Sequence, residues 1–402
     1  MSEQGKRENI VIIGAGLAAY ALATALRKAN AELAITIVGD EAHPPYDRPP
    51  LSKAVMETPD AGIPYLLAPE AYEERNIDLR LGKAATAIDR TNKTVTLANG
   101  ESLAYDRLVL ATGGQPRKLE IPGAEAVNYL RSFEDAVDIR EKLQPGASLL
   151  CIGAGVISLE LAAVAAQRDV SVHVVELGDA VMARLLPAPE RAYFAELHRK
   201  AGVEFAFGVS VTSIAHDGPC PVARLDDGRT IAADLIVAGI GMVPNIALAQ
   251  AAGLETGRGI RVDQFGQTSD PDIYALGDVA EFLDPVTLQP SMLESWYNAM
   301  DGAAALAKTL CGLPTVYAPM SRFWTDQFGR NFQMAGDASK ATRLVLEGTR
   351  GPEKFAAIYL DDADRVVFAM AADDPRRLRM AMKSIQSGEV YPDPSAATAF
   401  SA

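Results

Sequence analysis

The chain has 402 residues, about half of them apolar and 22% charged, which is enough for two or three domains with their own cores. Acidic residues outnumber basic ones, 52 to 38, and the net charge of −14 disfavours nucleic acid or an anionic membrane as a general partner, because both select a basic field. No unbroken apolar stretch reaches the roughly eighteen residues of a membrane span. The opening residues, MSEQGKRENIVIIG, hold no apolar run ahead of the first expected strand, so a cytoplasmic location is the expectation.

Cysteine and histidine usage narrows the chemistry. Cys151, Cys220 and Cys311 show no CxxC or CxxxxC spacing, so a dithiol centre close in sequence is not expected. Three cysteines cannot supply the four ligands of an all-cysteine iron–sulfur cluster. His43, His173, His198 and His216 show no paired ligand spacing, and no metal site is expected. The cysteines read as buried small apolar residues.

Taken in chain order, strands alternate with helices, the pattern of an α/β fold with parallel sheets. A first unit reads strand 9–13, helix 16–29, strand 33–38. Residues 41–70, rich in proline (HPPYDRPPLSK, then DAGIPYLLAPE), read as a long connection over a surface. Strand 107–111 runs into Thr112-Gly113-Gly114. A second unit begins near residue 115 and reads strand 148–152, helix 155–168, strand 171–176, helix 187–201. The runs 204–207, 222–225 and 234–238 look antiparallel, with a hairpin turn at Asp226-Asp227-Gly228. The chain changes character again near Gly239-Ile240-Gly241. DIYALGD (272–278) is another buried strand ending in glycine and aspartate, and a helix at about 294–311 follows. Beyond Pro319 four amphipathic strands (RNFQMAG, TRLVLEG, KFAAIYL, RVVFAMA) and a helix at 375–387 form an α+β tail.

Two strand–turn–helix units carry the fingerprint of a dinucleotide site. In the first, Gly14 permits a tight turn, Gly16 lets a pyrophosphate approach the backbone and helix start, and Ala19 replaces the third glycine. An acid is expected about 20 residues on; of Asp40 and Glu41, Asp40 is the better placed. In the second, Gly153 and Gly155 take the same parts, Ser158 is third, and Glu176 closes the second strand, where it can accept from a ribose 2′-hydroxyl. No arginine or lysine follows until Arg184, which favours NAD over NADP. Two such sites in one chain make sense if electrons pass between a nicotinamide and a flavin: FAD on the first unit, NADH on the second.

GAGLAA (14–19), VGDE (38–41), PYDRPPLSK (45–53), LVLATGG (108–114), YLRSFEDA (129–136), IGAGVISLELAA (152–163), AGIGMVPN (238–245), TSDPDIYALGDVA (268–280), LESWYNA (293–299) and FWTDQ (323–327) follow one another along nearly the whole chain. In these stretches the sequence resembles the FAD-dependent ferredoxin reductases of Rieske-type ring-hydroxylating dioxygenases and of the camphor hydroxylase system. The resemblance implies a glutathione-reductase-like fold: two Rossmann-like dinucleotide-binding domains and a C-terminal α+β domain. The expected boundaries are 1–114 with 240–319 for a discontinuous FAD domain, 115–239 for the NADH domain and 320–402 for the tail.

The same resemblance implies residue roles. Gly14, Gly16, Ala18 and Asp40 bind the pyrophosphate and adenosine side of FAD, and Ala85 lies in the adenine-contacting segment. Ala111, Thr112 and Gly113 border FAD in LVLATGG, Arg131 in YLRSFEDA and Asp278 in the GD pair. Arg48 and Lys53 reach the FAD, Lys53 near the flavin ring, with Trp296 beside the ring and Trp324 covering its other side. Glu160 pairs with Lys53 close to flavin N5, the two forming the catalytic pair: a lysine there stabilises negative charge and a glutamate holds it in place. NADH is bound by Gly153, Gly155, Val156, Ile157, Glu160, Glu176, Arg184 and Gly241.

The chain departs from related disulfide reductases and flavin peroxidases, since PPYDRPPLSKAVMETPD carries no cysteine; a thiol relay is disfavoured. The implied partner is a small two-iron two-sulfur ferredoxin that feeds an oxygenase. Such ferredoxins tend to be acidic, so docking requires a local basic face, with Arg376, Arg377, Arg379 and Lys383, or Arg48, Lys53 and Arg343, as candidates. Two other readings are an NADH-responsive signalling flavoprotein resembling apoptosis-inducing factor and an NADH oxidase. The implied oligomeric state is monomer or dimer.

Overall fold

A computed structural model describes residues 7–216, 218–284 and 288–400. The chain divides into two compact units, one made of residues 1–47, 63–115 and 243–320, the other of 48–62, 116–242 and 321–402.

In the first unit, five described strands form a parallel sheet in the order Ile273–Ala275, Arg107–Leu110, Asn9–Ile13, Ala34–Val38, Ile77–Arg80. In the central strand, NIVII, the apolar run 10–13 that follows Asn9 is buried throughout, as a strand covered on both faces must be. Helix Leu17–Ala29 follows it, and its buried side chains share one core with those of helix Trp296–Leu310. A second core on the other side of the sheet takes Val11, Ile13, Leu108 and Leu110 together with Val95 and Leu97. The last two belong to an antiparallel meander, Ala85–Asp89, Thr94–Leu97, Ser102–Ala104.

The second unit repeats the plan. Its parallel sheet runs Glu204–Phe207, Ser171–Glu176, Ser148–Ile152, Leu235–Ala238, Val127–Asn128. The expected antiparallel pairing of 204–207 and 234–238 is thus corrected. Both are parallel strands, 204–207 at the sheet edge and 235–238 beside its centre, while Val211–Ala215, Val222–Leu225 and Thr230–Ala232 form an antiparallel meander. Short apolar runs look alike in either setting, and register decides between them. The turn 226–229 does close a hairpin, with Gly228 left-handed at φ 89°.

Helix Val156–Ala166 is buried on nearly every side, which its all-round apolar surface permits. It packs on strands Ser148–Ile152 and Ser171–Glu176 and on strand Arg322–Gln327. That last strand opens an antiparallel sheet in the order Arg322–Gln327, Arg330–Gly336, Val366–Ala372, Phe355–Leu360, Arg343–Glu347, Thr398–Ala399. Helix Pro375–Ser387, capped by Asp374 through the Arg377 amide, lies against strands Arg330–Gly336, Phe355–Leu360 and Val366–Ala372.

Residues 41–70 differ from expectation. The connection is not all on the surface: Pro49–Ser52 is a 3-10 turn and Ala54–Glu57 a short helix, and Leu51, Ser52, Val55 and Met56 are buried, while residues 57–70 stay exposed or half-exposed. Proline at the start of the turn sets φ for it without losing a needed amide, and the Arg140 guanidinium ties the segment down through the Val55 and Thr58 carbonyls. Among the described residues no helix is long and apolar enough to cross a membrane.

His198, fully buried on helix Ala188–Lys200, bonds through Nε2 to Gln327 Oε1 at 2.8 Å. Burial depresses its imidazolium from 6.5 to about 4, a fall the Gln327 bond only partly offsets. The unfolded ring therefore binds a proton that the folded one refuses between those values. Stability is complete above about 6.5 and lost as pH falls toward 4, by on the order of 3 kcal/mol for the full shift. Replacement by phenylalanine, H198F, is expected to remove this acid slope, read from urea unfolding across that window.

Candidate functional site

The glycine turns sit at equivalent points of the two sheets, at the carboxyl end of the central strand where the strand order reverses. In the first unit Gly14 is left-handed at φ 109°, and a Cβ there would lie 2.2 Å from the Ala111 carbonyl oxygen. Only glycine brings the two strand ends this close. Gly16 then starts the helix with no capping side chain and no acidic residue in the first turn. A Cβ on Gly16 would meet nothing within 4 Å, so the helix amides face open space suited to an anion. Ala18 Cβ lies against Gly277, next to Asp278, and Asn245 clamps the neighbouring Thr112-Gly113 turn with three hydrogen bonds of 2.9 Å. The first unit thus gathers Gly14, Gly16, Ala18, Ala111, Thr112, Gly113 and Asp278 around one turn. Asn245, missed by motif reading, is the residue that fixes its shape.

Asp40 is less central than its position in the sequence suggests. Gly14 N–H donates to Val38 O and Gly153 N–H to Val175 O, both at 2.7 Å. The residue standing where Glu176 stands is therefore Gly39, whose Cβ would come within 2.5 Å of Ala15 Cβ. Asp40 lies one residue beyond, exposed, its Oδ1 taking the Glu41 amide at 3.1 Å. Ala85 opens the meander, opposite Leu97. Trp296 begins the helix capped by Ser295 and donates to Asp47 at 3.0 Å.

The second unit's turn matches. Gly153 has φ 91° with its Cβ direction blocked by Gly239 O at 2.6 Å. Gly155 caps helix Val156–Ala166 without a side-chain bond and with no acidic residue in its first turn. Glu176 folds back over the turn: Oε2 accepts from Ala154 N–H at 2.6 Å and Oε1 from Gly178 N–H at 2.8 Å. The carboxylate is thus aimed beside the open helix start, with Ile157 and Leu177 exposed nearby in sequence and the exposed Arg184 guanidinium next to Gly241.

Lys53 and Glu160 do meet. The Lys53 ammonium donates to Glu160 Oε2 at 2.8 Å and to Pro49 O at 3.1 Å. Glu160 also accepts from Ser52 Oγ at 2.5 Å and, on Oε1, from Thr325 Oγ1 at 2.7 Å. Glu160 is 2% exposed, Lys53 17%. Burial pushes the Glu160 carboxyl above the ordinary carboxylate range, against the pull of Lys53, Ser52 and Thr325. Three donors and no competing acceptor make this a carboxylate site, and the lysine is held at one point while part of it stays open to solvent. Ser52 and Thr325 were legible only as neighbours of more conspicuous residues, in PPLSK and FWTDQ. Arg48 donates to the Arg131 carbonyl at 2.5 Å, which brings together two more of the residues expected at the FAD. Trp324, half-buried, alternates with the inward Thr325 on strand Arg322–Gln327.

The expected basic face is smaller than the sequence suggests. Arg377 is held by both oxygens of Glu347 and by Tyr391, Arg343 by Asp364, and Lys53 by Glu160. Arg376, Arg379 and Lys383 are exposed on helix Pro375–Ser387. All three cysteines are free thiols, but only Cys151 is the buried residue expected, with burial pushing its thiol up to about 12; Cys220 is half-buried and Cys311 exposed.

Residues 8–303 match the model of the pyridine nucleotide-disulphide oxidoreductase family and residues 322–400 that of the reductase C-terminal domain. The chain is 37% identical to the ferredoxin–NAD(+) reductase component of the p-cumate 2,3-dioxygenase system of Pseudomonas putida, over 94% of this chain and 93% of that one. It is 38% identical to putidaredoxin reductase of the same organism, over 92% and 89%. Among solved structures, putidaredoxin reductase in its covalent complex with putidaredoxin aligns with a TM-score of 0.89 at 36% identity, covering 95% of this chain and 93% of that one. The match extends through the glycine turns, the Lys53–Glu160 segments and the C-terminal sheet alike, and the chain belongs to the pyridine nucleotide-disulphide oxidoreductase family, among its ferredoxin–NAD(+) reductases.

Proposed function

We propose that this protein carries electrons from NADH through FAD to a separate two-iron two-sulfur ferredoxin that serves a ring-hydroxylating dioxygenase or similar oxygenase, in the cytoplasm. The observation that carries the reading is the pair of equivalent parallel sheets, each with a left-handed glycine and an uncapped helix start. When bound, FAD supplies the conversion between a two-electron hydride donor and a one-electron acceptor.

The chain's own residues hold and orient. We assign FAD to Gly14, Gly16, Ala18, Asp40, Arg48, Lys53, Ala85, Ala111, Thr112, Gly113, Arg131, Asp278, Trp296 and Trp324. NADH is assigned to Gly153, Gly155, Val156, Ile157, Glu160, Glu176, Arg184 and Gly241. Residues 1–114 with 240–319 are the FAD domain, 115–239 the NADH domain and 320–402 the C-terminal domain. The Lys53 ammonium, fixed by Glu160, offers positive charge where negative charge builds up, and hydride transfer itself asks no side chain for a proton.

The protein is expected to purify yellow and to bleach with NADH far more readily than with NADPH, read from its visible spectrum. Substitution G14A, which drives a methyl into the Ala111 carbonyl, is expected to leave it colourless. Substitution E176A is expected to weaken NADH binding by on the order of 1–3 kcal/mol, the cost of losing hydrogen bonds to a charged group, measured by titration. Reversing the exposed pair, R376E with R379E, is expected to slow ferredoxin reduction while NADH-to-ferricyanide turnover holds; equal loss in both assays would assign that helix a purely structural part.

A further inference from the structure

We propose that Gln327 and His198 are positioning residues for the Lys53–Glu160 pair, through a directional chain of hydrogen bonds that runs from His198 by way of Gln327 and Thr325 to Glu160. The inference rests on the assignment of Lys53 and Glu160 to the flavin and adds two residues that lie outside both glycine turns.

The chain is continuous and buried. Thr325 and Gln327 alternate along strand Arg322–Gln327, so both point to the side on which helix Val156–Ala166 packs. Gln327 Nε2 donates to Thr325 Oγ1 at 2.9 Å, and Thr325 Oγ1 donates to Glu160 Oε1 at 2.7 Å. Gln327 Oε1 faces His198 Nε2 at 2.8 Å. Thr325, Gln327 and His198 are each at most 1% exposed, so water cannot replace a missing partner.

Direction follows from proton counting. A threonine hydroxyl has one proton. If its oxygen accepts from the Gln327 amide, that proton is committed to Glu160 Oε1, and with Oε2 accepting from Lys53 and Ser52 neither oxygen has a proton to give. Flipping the amide reverses every bond at once: Thr325 would donate to Gln327, and Glu160 would need a proton of its own to donate to Thr325. His198 sets the amide. With the proton on Nε2, Gln327 can only accept from it, and its NH2 is left to face Thr325. The reversed chain instead needs the proton on Nδ1, and Nδ1 is buried with no hydrogen-bond partner. The neighbours across that ring are Phe205 and Phe328, edge-on at 6.1 and 4.8 Å between centroids, and neither carries an acceptor oxygen or nitrogen on its side chain. Lys53 favours the same direction from the other end, since its ammonium can only donate.

The test is infrared spectroscopy of the full-length holoprotein carrying 13C-carboxyl glutamate, titrated with acid, beside single-turnover bleaching by NADH. The protonated carboxyl band absent from E160Q belongs to Glu160. That band is expected to appear at higher pH in Q327L and T325V than in the unaltered protein, while T325S, which keeps the hydroxyl, behaves as the unaltered protein does. Bleaching is expected to slow roughly tenfold in Q327L and T325V, as loss of a charged hydrogen bond would give, and to recover in T325S. Should Q327L fail to fold, H198F, which keeps an aromatic ring beside Phe205 and Phe328, is expected to move the band in the same direction. If Q327L and H198F leave both band and rate where they were, the positioning chain is overturned. If E160Q itself bleaches at the full rate, the flavin assignment of the pair fails instead, while the band positions still report whether the chain controls Glu160.

Discussion

A carboxylate buried in an apolar helix constrains everything around it. Glu160 stands in a helix whose other residues, Val156 to Ala166, carry no charge, and an unpaired ion at such a place is not tolerated. Its lone pairs are taken by the Lys53 ammonium and by two hydroxyls. These donors come from segments more than a hundred residues away in each direction along the chain. The proline-rich segment 49–53 and the strand 322–327 are therefore tied to the helix by more than packing. Removing one partner of such a buried pair typically costs about 3–5 kcal/mol, so the pair cannot drift apart without a large loss of stability. The same geometry that satisfies the charge delivers a lysine to one fixed point.

The duplicated sheets follow from a simpler requirement. A nucleotide pyrophosphate needs bare amides at a helix start, and such a start occurs where a central strand hands over to a helix at the point of strand reversal. Gly14 and Gly153 allow the turn by taking positive φ where a side chain would strike a carbonyl. The copies diverge at the acid. The second unit uses Glu176, bonded to two backbone amides. The first places Gly39 at that position, because its turn passes so close that Ala15 leaves no room for a side chain. A fingerprint shared by two units does not imply the same ligand contacts at every position.

Charge is distributed in a way that composition hides. The excess of acids sets a net charge of −14, yet several arginines that look available are used internally: Arg377 by Glu347, Arg343 by Asp364 and Arg350 by the fully buried Glu190. What remains outward on helix Pro375–Ser387 is Arg376, Arg379 and Lys383, spaced three and four residues apart and so sharing a face. Under the proposed function this small basic stripe is the candidate steering feature for an acidic partner, and it emerges only after the internal pairs are removed from the count.

Both nucleotide units, the α+β tail and the helices at 375–387 and 188–200 were legible from sequence, because each depends on local periodicity and on glycine at a turn. Lys53 and Glu160 were legible as a pair only through resemblance, since no spacing rule joins residues 107 apart. The pairing direction of strands 204–207 and 235–238, the burial of residues 49–56, and the engagement of Arg377 all required the fold. So did the line from His198 through Gln327 and Thr325 to Glu160. The physical reason is the same in each case: turn chemistry and amphipathic period are properties of a few consecutive residues. Register, burial and the partner of a charge are decided by whichever distant segment the packed chain brings alongside.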